Sequence, residues 1–461
     1  FFFPPPPPPP PSRLLQPDKR VHLARMTLTV SSIFNAFGCR SRNFRSRRGS
    51  ANESLTSHNE SSKTAKFLFG RRIKRSRKVK SHSNDQIDCL VKCWVNLPYF
   101  GDVPGERSGH AVTAVAGRAY LFGGCGGSSG NTPCLSDFLS FDFNTRIWKR
   151  VKTIGDAPSP RASFEMCKGP DDDTIIVAGG TGGSGVCGDL YEFNVRTLRW
   201  QRLVEMDSPS SKCRYYGQSI CPYQDYLIFF GGSSGHEYTD DLYKFNLKEH
   251  LFQKLETTGT PPSPRYKHQA LIVGNRMYIL GGGNYKPTTT VIDVFCLDLE
   301  AMTWSRIYTT GQVPQARVAH TCEYDKSSNS IYLWAGFNVD LERMNDFYVL
   351  DLQTFQWQCL SEKLKSIPSA RAFHSSCLNN NSIYIFGGAD GETRYSDIWK
   401  YQIRVDPPSL MLLAARSILN HVGDLRKEYS KVISEELLSA IEDLDAGIDR
   451  FHRSSTESPF S

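Results

Sequence analysis

The chain has 461 residues, 39% of them apolar, and 55 Lys/Arg against 47 Asp/Glu, for a formal net charge of +8. That apolar content is enough for a sizeable core, while no run of 18 apolar residues exists that could span a membrane. The 13 cysteines are odd in number and irregularly spaced, which argues against a disulfide framework or a zinc module and for reduced, buried thiols in a protein of the nucleus and cytoplasm.

Residues 1–85 read as a disordered basic tail. Residues 1–80 hold 18 Lys/Arg and 3 Asp/Glu, which leaves 37 against 44 for the remaining 381 residues, so the basic character belongs to the tail alone. Its composition, rich in Ser, Pro and Arg, cannot offset the entropy of ordering. The opening "FFFPPPPPPPP" lacks the basic start and apolar stretch of a secretory signal. Residues 1–25 precede the first methionine, Met26, and read as a translation or gene-model artefact. The densest part, "RRIKRSRKVK" at 71–80, reads as a nuclear localisation signal or a patch for acidic partners such as nucleic acid. The alternative is a solvated tail with no partner.

From residue 88 to 404 one pattern recurs six times. An apolar run ends in Gly-Gly at Gly123/Gly124, Gly179/Gly180, Gly231/Gly232, Gly281/Gly282 and Gly387/Gly388, and a sixth slot reads "LWAG", with Ala335 in place of one glycine. Aspartates follow at Asp137, Asp189, Asp241, Asp293, Asp346 and Asp397, then an aromatic at Trp148, Trp200, Phe252, Trp304 and Trp357. A period near 50 with these markers in one register predicts kelch repeats, each a four-stranded propeller blade. The sixth repeat has Pro408 where its aromatic belongs, and Trp94 stands one period before Trp148 with no Gly-Gly of its own. Residues 91–97 are therefore predicted to close the ring as the last strand of the sixth blade. The fold class is all-β, a six-bladed kelch propeller closed by an N-terminal strand.

Each repeat opens with an arginine: Arg107, Arg161, Arg214, Arg265, Arg317 and Arg371. Placed before the inner strands, these are expected to ring one mouth of the central channel, with Tyr266 beside Arg265, where guanidinium groups would suit a carboxylate. The alternative is that each arginine bonds backbone carbonyls of a neighbouring blade. Four repeats add a histidine three residues on, at His110, His268, His320 and His374. Imidazole binds metals, but one histidine per blade reads as a repeat marker. No hydrolase, phosphate-binding or dinucleotide fingerprint falls in a fitting context, so no catalytic residue, metal or other cofactor is assigned. The loops after the Gly-Gly pairs differ freely, which points to binding.

Past "DPP", residues 405–446 read as a short helical box, followed by a tail at 447–461. Ser409 is placed as N-cap, and Leu410, Leu413, Ala414, Ile418, His421, Val422 and Leu425 share one helical face. "SLMLLAARSI" resembles the Elongin B/C-binding box on Ser409, Leu410, Ala414 and Ile418, with Ala414 where cysteine is usual. With "RYYGQSI", "PRYKHQA", "YILGGG" and "LDLQTFQW", it makes the chain similar to the kelch-repeat substrate receptors of cullin-2 RING ubiquitin ligases.

The resemblance implies a non-catalytic receptor. Its ring would bind the C-terminal end of a protein, often a terminal Gly or Ala. Its box would recruit Elongin B/C, cullin-2 and a RING subunit, with Val422 and Leu425 toward the cullin. It aligns Arg343 with one of two carboxylate-holding arginines, while the other falls on Phe337 and a partner serine on Ala372. "NHVGDL" has no proline where the cullin-selecting segment usually carries one. The same resemblance allows a scaffold that sequesters a protein phosphatase in a stress-kinase pathway. A metal-dependent propeller enzyme is the third reading.

Overall fold

The computed structural model describes residues 93–126, 133–206, 208, 211–364 and 366–404. The basic tail, the helical box with Ser409, Leu410, Ala414, Ile418, Val422 and Leu425, and the C-terminal tail lie outside these residues.

The described chain is an all-β ring of six antiparallel four-stranded blades. The innermost strands are Ala111–Val115, Glu165–Lys168, Ser219–Tyr223, Gln269–Val273, Thr321–Asp325 and Ser375–Asn379, and the last lies beside the first. Each is followed by a hairpin partner, a third strand and an outer strand in simple meander order. Blades 1, 2, 4 and 5 carry a further two-residue parallel strand on the outer edge, at Phe100–Gly101, Ile154–Gly155, Thr258–Gly259 and Thr310–Gly311.

Closure follows the sequence prediction. Trp94–Asn96 pairs antiparallel with the third strand of blade 6, Arg394–Gln402, with Trp94 opposite Tyr401 and Asn96 opposite Trp399. The first strand thus completes the last blade and covers the outer edge of its third strand. Trp94 is buried against Trp334 and Phe347 of blade 5, at centroid distances of 5.8 and 5.2 Å.

The repeat aromatics fill the wedges between blades. Trp200 of blade 2 lies 5.2 Å from Phe138 of blade 1, Trp304 of blade 4 lies 5.5 Å from Phe230 of blade 3, and Trp148 of blade 1 lies 6.0 Å from Phe386 of blade 6. Large rings suit this place because the gap between twisted sheets widens outward, and each buries a large apolar surface. The Gly-Gly corners have equally local causes. Gly123 has φ +61°, and a Cβ there would come within 2.6 Å of the Arg161 carbonyl of the next blade. Ala335 adopts the same left-handed backbone, φ 57°, without being glycine.

Candidate functional site

Each inner strand enters at the face of the ring that carries the Gly-Gly loops. The residue after each arginine slot pairs with the residue after each Gly-Gly corner: Ala162 with Thr181, Tyr216 with Ser233, Tyr266 with Gly283, Val318 with Phe337 and Ala372 with Ala389. These bridges hold the variable loops against the channel mouth.

One residue further in, the six blades join in a closed circuit of backbone hydrogen bonds. Ser163 N donates to Gly109 O, Gly217 N to Ser163 O, Lys267 N to Gly217 O, Ala319 N to Lys267 O, Phe373 N to Ala319 O and Gly109 N to Phe373 O, at 2.7–3.2 Å. All six residues are in the left-handed region, at φ 50–67°. That conformation is free for Gly109 and Gly217 and costs Ser163, Lys267, Ala319 and Phe373 roughly 1 kcal/mol each. The circuit draws in this mouth of a central channel of about 400 Å³.

Glu165, Glu323, Lys168 and Lys267 are the charged residues among those that line the channel. Burial pushes Glu165 up to about 7, with the Lys267 ammonium pulling the other way. Burial also pushes Glu323 to about 7 against the hydrogen bond from Ser376. Lys267 is itself lowered by burial, opposed by Glu165.

The arginines do not form the expected ring of available cations. Arg107, Arg161, Arg265, Arg317 and Arg371 are buried, and each grips the aspartate of its own repeat with both terminal nitrogens: Asp137, Asp189, Asp293, Asp346 and Asp397, at 2.5–3.0 Å. Each also donates to the carbonyl of the first corner residue, Gly123, Gly179, Gly281, Ala335 or Gly387. A desolvated guanidinium needs a full set of acceptors, and the repeat supplies them inside the blade. These five are struts of the corner, not ligands at the mouth.

Arg214 lies one residue out of register with the other five arginines. Gly180 N donates to Tyr215 O, as Gly232 N does to Arg265 O and Gly282 N to Arg317 O, so Tyr215 holds the slot in blade 3 and Arg214 is exposed. Asp241 there pairs with the exposed Lys254 instead, at 2.7 Å.

The histidines sit just beneath the circuit, in the seams. His268 Nε2 meets Ser219 Oγ at 2.8 Å and His374 Nε2 meets Thr321 Oγ1 at 2.9 Å, each across to the preceding blade. Burial and the adjacent arginine lower His110 and His320 to about 3, which keeps them neutral.

What the rim does hold is a cluster of largely buried aromatics, here called the basin, beside one unmatched arginine. Tyr266 lies edge-on to Tyr216 at 6.0 Å and 5.4 Å from Tyr238, and Phe337 lies 5.8 Å from Phe373. Arg343 begins the third strand of blade 5 opposite Phe337, and its guanidinium lies 5.0 Å from that ring's centroid. One terminal nitrogen donates to Leu341 O at 2.7 Å, and the buried Nε has no partner. Burial lowers the Arg343 guanidinium, opposed by Tyr285, Asp390 and Tyr266. Asp390 is the carboxylate it feels, but Asp390 accepts from the Tyr395 hydroxyl at 2.6 Å and from two backbone amides. Among the described residues Arg343 makes no ion pair. Of the anticipated residues the structure thus brings Arg343 and Tyr266 to one basin, and it adds Tyr216, Tyr238 and Phe373, which carry no repeat-wide signal.

Comparison with known proteins agrees with this architecture. The KLHDC2/KLHL20/DRC7 Kelch-repeats domain model matches residues 61–282 and 267–407. Kelch domain-containing protein 10 of Xenopus tropicalis is 29% identical over 344 residues, covering 70% of this chain and 81% of the relative. The human protein of that name is 29% identical over 338 residues, 68% and 74% of the two chains. Human Host cell factor 2 is 29% identical over 261 residues, 52% of this chain and 32% of that protein. With the family model spanning the whole ring, this chain belongs to the kelch-repeat family that the model describes.

Proposed function

We propose that this chain is the substrate-recognition subunit of a cullin-RING ubiquitin ligase of the Elongin B/C and cullin-2 type, with the rim basin receiving the C-terminal carboxylate of its substrates. The observation that carries the reading is the contrast among the arginines. Five are saturated by aspartates, while Arg343 is half-buried, short of acceptors and backed by an aromatic floor. A desolvated guanidinium with open donors is suited to a carboxylate, which it can grip bidentately. A small last residue such as Gly or Ala would place the least bulk against the buried rings of Tyr266 and Phe337. Ser409, Leu410, Ala414 and Ile418 support the ligase half of the reading, as the anchor for Elongin B/C.

Two measurements test the halves separately. Full-length protein is expected to co-purify with Elongin B/C, and Leu410→Asp to lose it by placing a charge in an apolar contact. No Elongin with either version would leave a kelch scaffold of another kind, such as one that holds a phosphatase. Peptides ending in a free Gly carboxylate are expected to bind at least about tenfold more tightly than their C-terminal amides, with Arg343→Leu erasing the difference. Equal binding of acid and amide would remove Arg343 from the site.

A further inference from the structure

Two cysteines on the rim face each other in a way no other thiols among the described residues do. Cys125 follows the Gly-Gly corner of blade 1 and lies opposite Cys134 in an antiparallel bridge, with sulfurs 3.8 Å apart. Leu135 N donates to Gly124 O at 2.8 Å and Gly126 N to Pro133 O at 3.4 Å. The cysteines therefore occupy the non-hydrogen-bonded site between those two bonds, where opposed side chains come closest. This is the backbone geometry whose Cα and Cβ separations a disulfide accepts without moving the chain.

We propose that Cys125 and Cys134 are a reversible thiol modification site, which hydrogen peroxide converts to a disulfide that staples the base of the blade 1 loop on the binding face. The half-buried Cys134 is the attacking group. Its thiolate takes one oxygen of the peroxide, the O–O bond breaks and hydroxide leaves to become water, giving a sulfenic acid. Cys125 sulfur then attacks Cys134 sulfur, the S–O bond breaks, and the hydroxyl leaves as water with the Cys125 proton. Two thiols lose two electrons in all, and one peroxide is reduced to two waters.

The surroundings favour this pair over the other thiols. The hydrogen bond from Cys125 and the nearby Arg161 guanidinium hold Cys134 below the ordinary thiol range despite its burial. Cys167, Cys221, Cys322 and Cys377, on the inner strands, are all pushed the other way by burial. Thiolate character and access select which cysteine reacts. Cys125 also belongs to the apolar cluster that contains Tyr266, Phe337 and Phe373, so the staple would stiffen one wall of the basin. The inference does not depend on what the basin binds.

The test is oxidation of the reduced full-length protein with hydrogen peroxide, then alkylation in denaturant and peptide mass spectrometry. The expected result is a Cys125–Cys134 cross-linked peptide, with alkylation of Cys134 falling roughly tenfold more than that of the outer-strand Cys359 and restored by dithiothreitol. Cys134→Ser is expected to leave Cys125 alkylatable after peroxide, and if that variant fails to fold the wild-type cross-link still decides. A sulfinic acid at Cys134 without a cross-link, a bond from Cys134 to Cys187, or equal losses at Cys134 and Cys359 would each overturn the proposal.

Discussion

Blade 3 and blade 2 are neighbours with the same four-strand meander, yet they are held together differently. In blade 2 the Arg161–Asp189 pair is buried on both sides, Trp200 closes the outer wedge, and Gly155 (φ +84°) lays its parallel strand against the Trp200 carbonyl so closely that a Cβ would fall 2.2 Å from it. In blade 3 the slot holds Tyr215, Asp241 meets an exposed lysine, the wedge aromatic is the half-buried Phe252, and the outer strand Leu251–Lys254 has no parallel partner among the described residues. Both blades keep the Gly-Gly corner and the channel-mouth bond. The difference separates what makes a blade, the meander and its inner join, from what locks it, the buried ion pair and the outer tryptophan.

The contrast is sharpest where a buried charge is orphaned. Asp189→Ala should destabilise the ring by about 3–5 kcal/mol in urea unfolding, because Arg161 would keep its charge without its acceptor. Asp241→Ala should cost no more than about 0.5 kcal/mol, since its pair is largely solvated. Comparable losses would show that the blade 3 pair is structural after all. Removing the wedge aromatics comes next. Trp94→Ala, which empties the closing seam, should cost about 3–5 kcal/mol, and Phe252→Ala about 1–2 kcal/mol for its smaller buried area; both are readable from denaturation midpoints.

Titration distinguishes the blades by their inner strands, for blades 2 and 5 carry Glu165 and Glu323 and the inner strand of blade 3 has no carboxylate. A carboxylate raised to about 7 in the folded state, as Glu323 is, binds a proton there that the unfolded chain has already released. Stability from this source is complete below the ordinary glutamate range near 4.5 and is lost as pH rises through 7. Glu323→Gln should therefore raise stability by about 1–2 kcal/mol at pH 8 and change little at pH 4.5, as followed by melting temperature at the two pH values. The neutral histidines oppose this trend, since His110 and His320, lowered to about 3, contribute stability above the ordinary imidazole range that is lost as pH falls toward 3. The smallest effect is a gain. Tyr215→Arg would restore the arginine opposite Asp241 and should add up to about 1 kcal/mol, provided the new side chain displaces Lys254.

Much of this was legible in the residues. Gly-Gly, aspartate and tryptophan in one register imply the blades, and the orphan Trp94 with Pro408 at the other end implies closure by the first strand. The six arginines are legible as a set, either ringing the mouth or bonding backbone carbonyls, but their carboxylate partners are not read with them. Their aspartates recur 26–30 residues later in the five complete repeats, and that narrow range of separations is the sign of an internal pair. The missing partner in blade 3 is likewise hidden by the adjacent Arg214, since a one-residue slip leaves an arginine in apparent register. The left-handed positions could not be read at Ser163, Lys267, Ala319 and Phe373, whose side chains give no hint of positive φ. The basin was half legible: Arg343 and Tyr266 were singled out, but the tyrosines around them belong to loops with no repeat pattern.

The circuit of six amides at the channel mouth has no beginning and no end. Every member both donates to the blade before it and accepts from the blade after it, so the chain could be cut at any blade boundary and its natural ends joined without removing a bond from that circle. Deleting or duplicating one blade is another matter, since five or seven members must span the same mouth at a different radius. The circle therefore counts the blades. Circular permutation of the gene should leave it whole, a blade more or fewer should force it to a new radius, and its six amides should exchange with solvent deuterium together, when the whole ring opens.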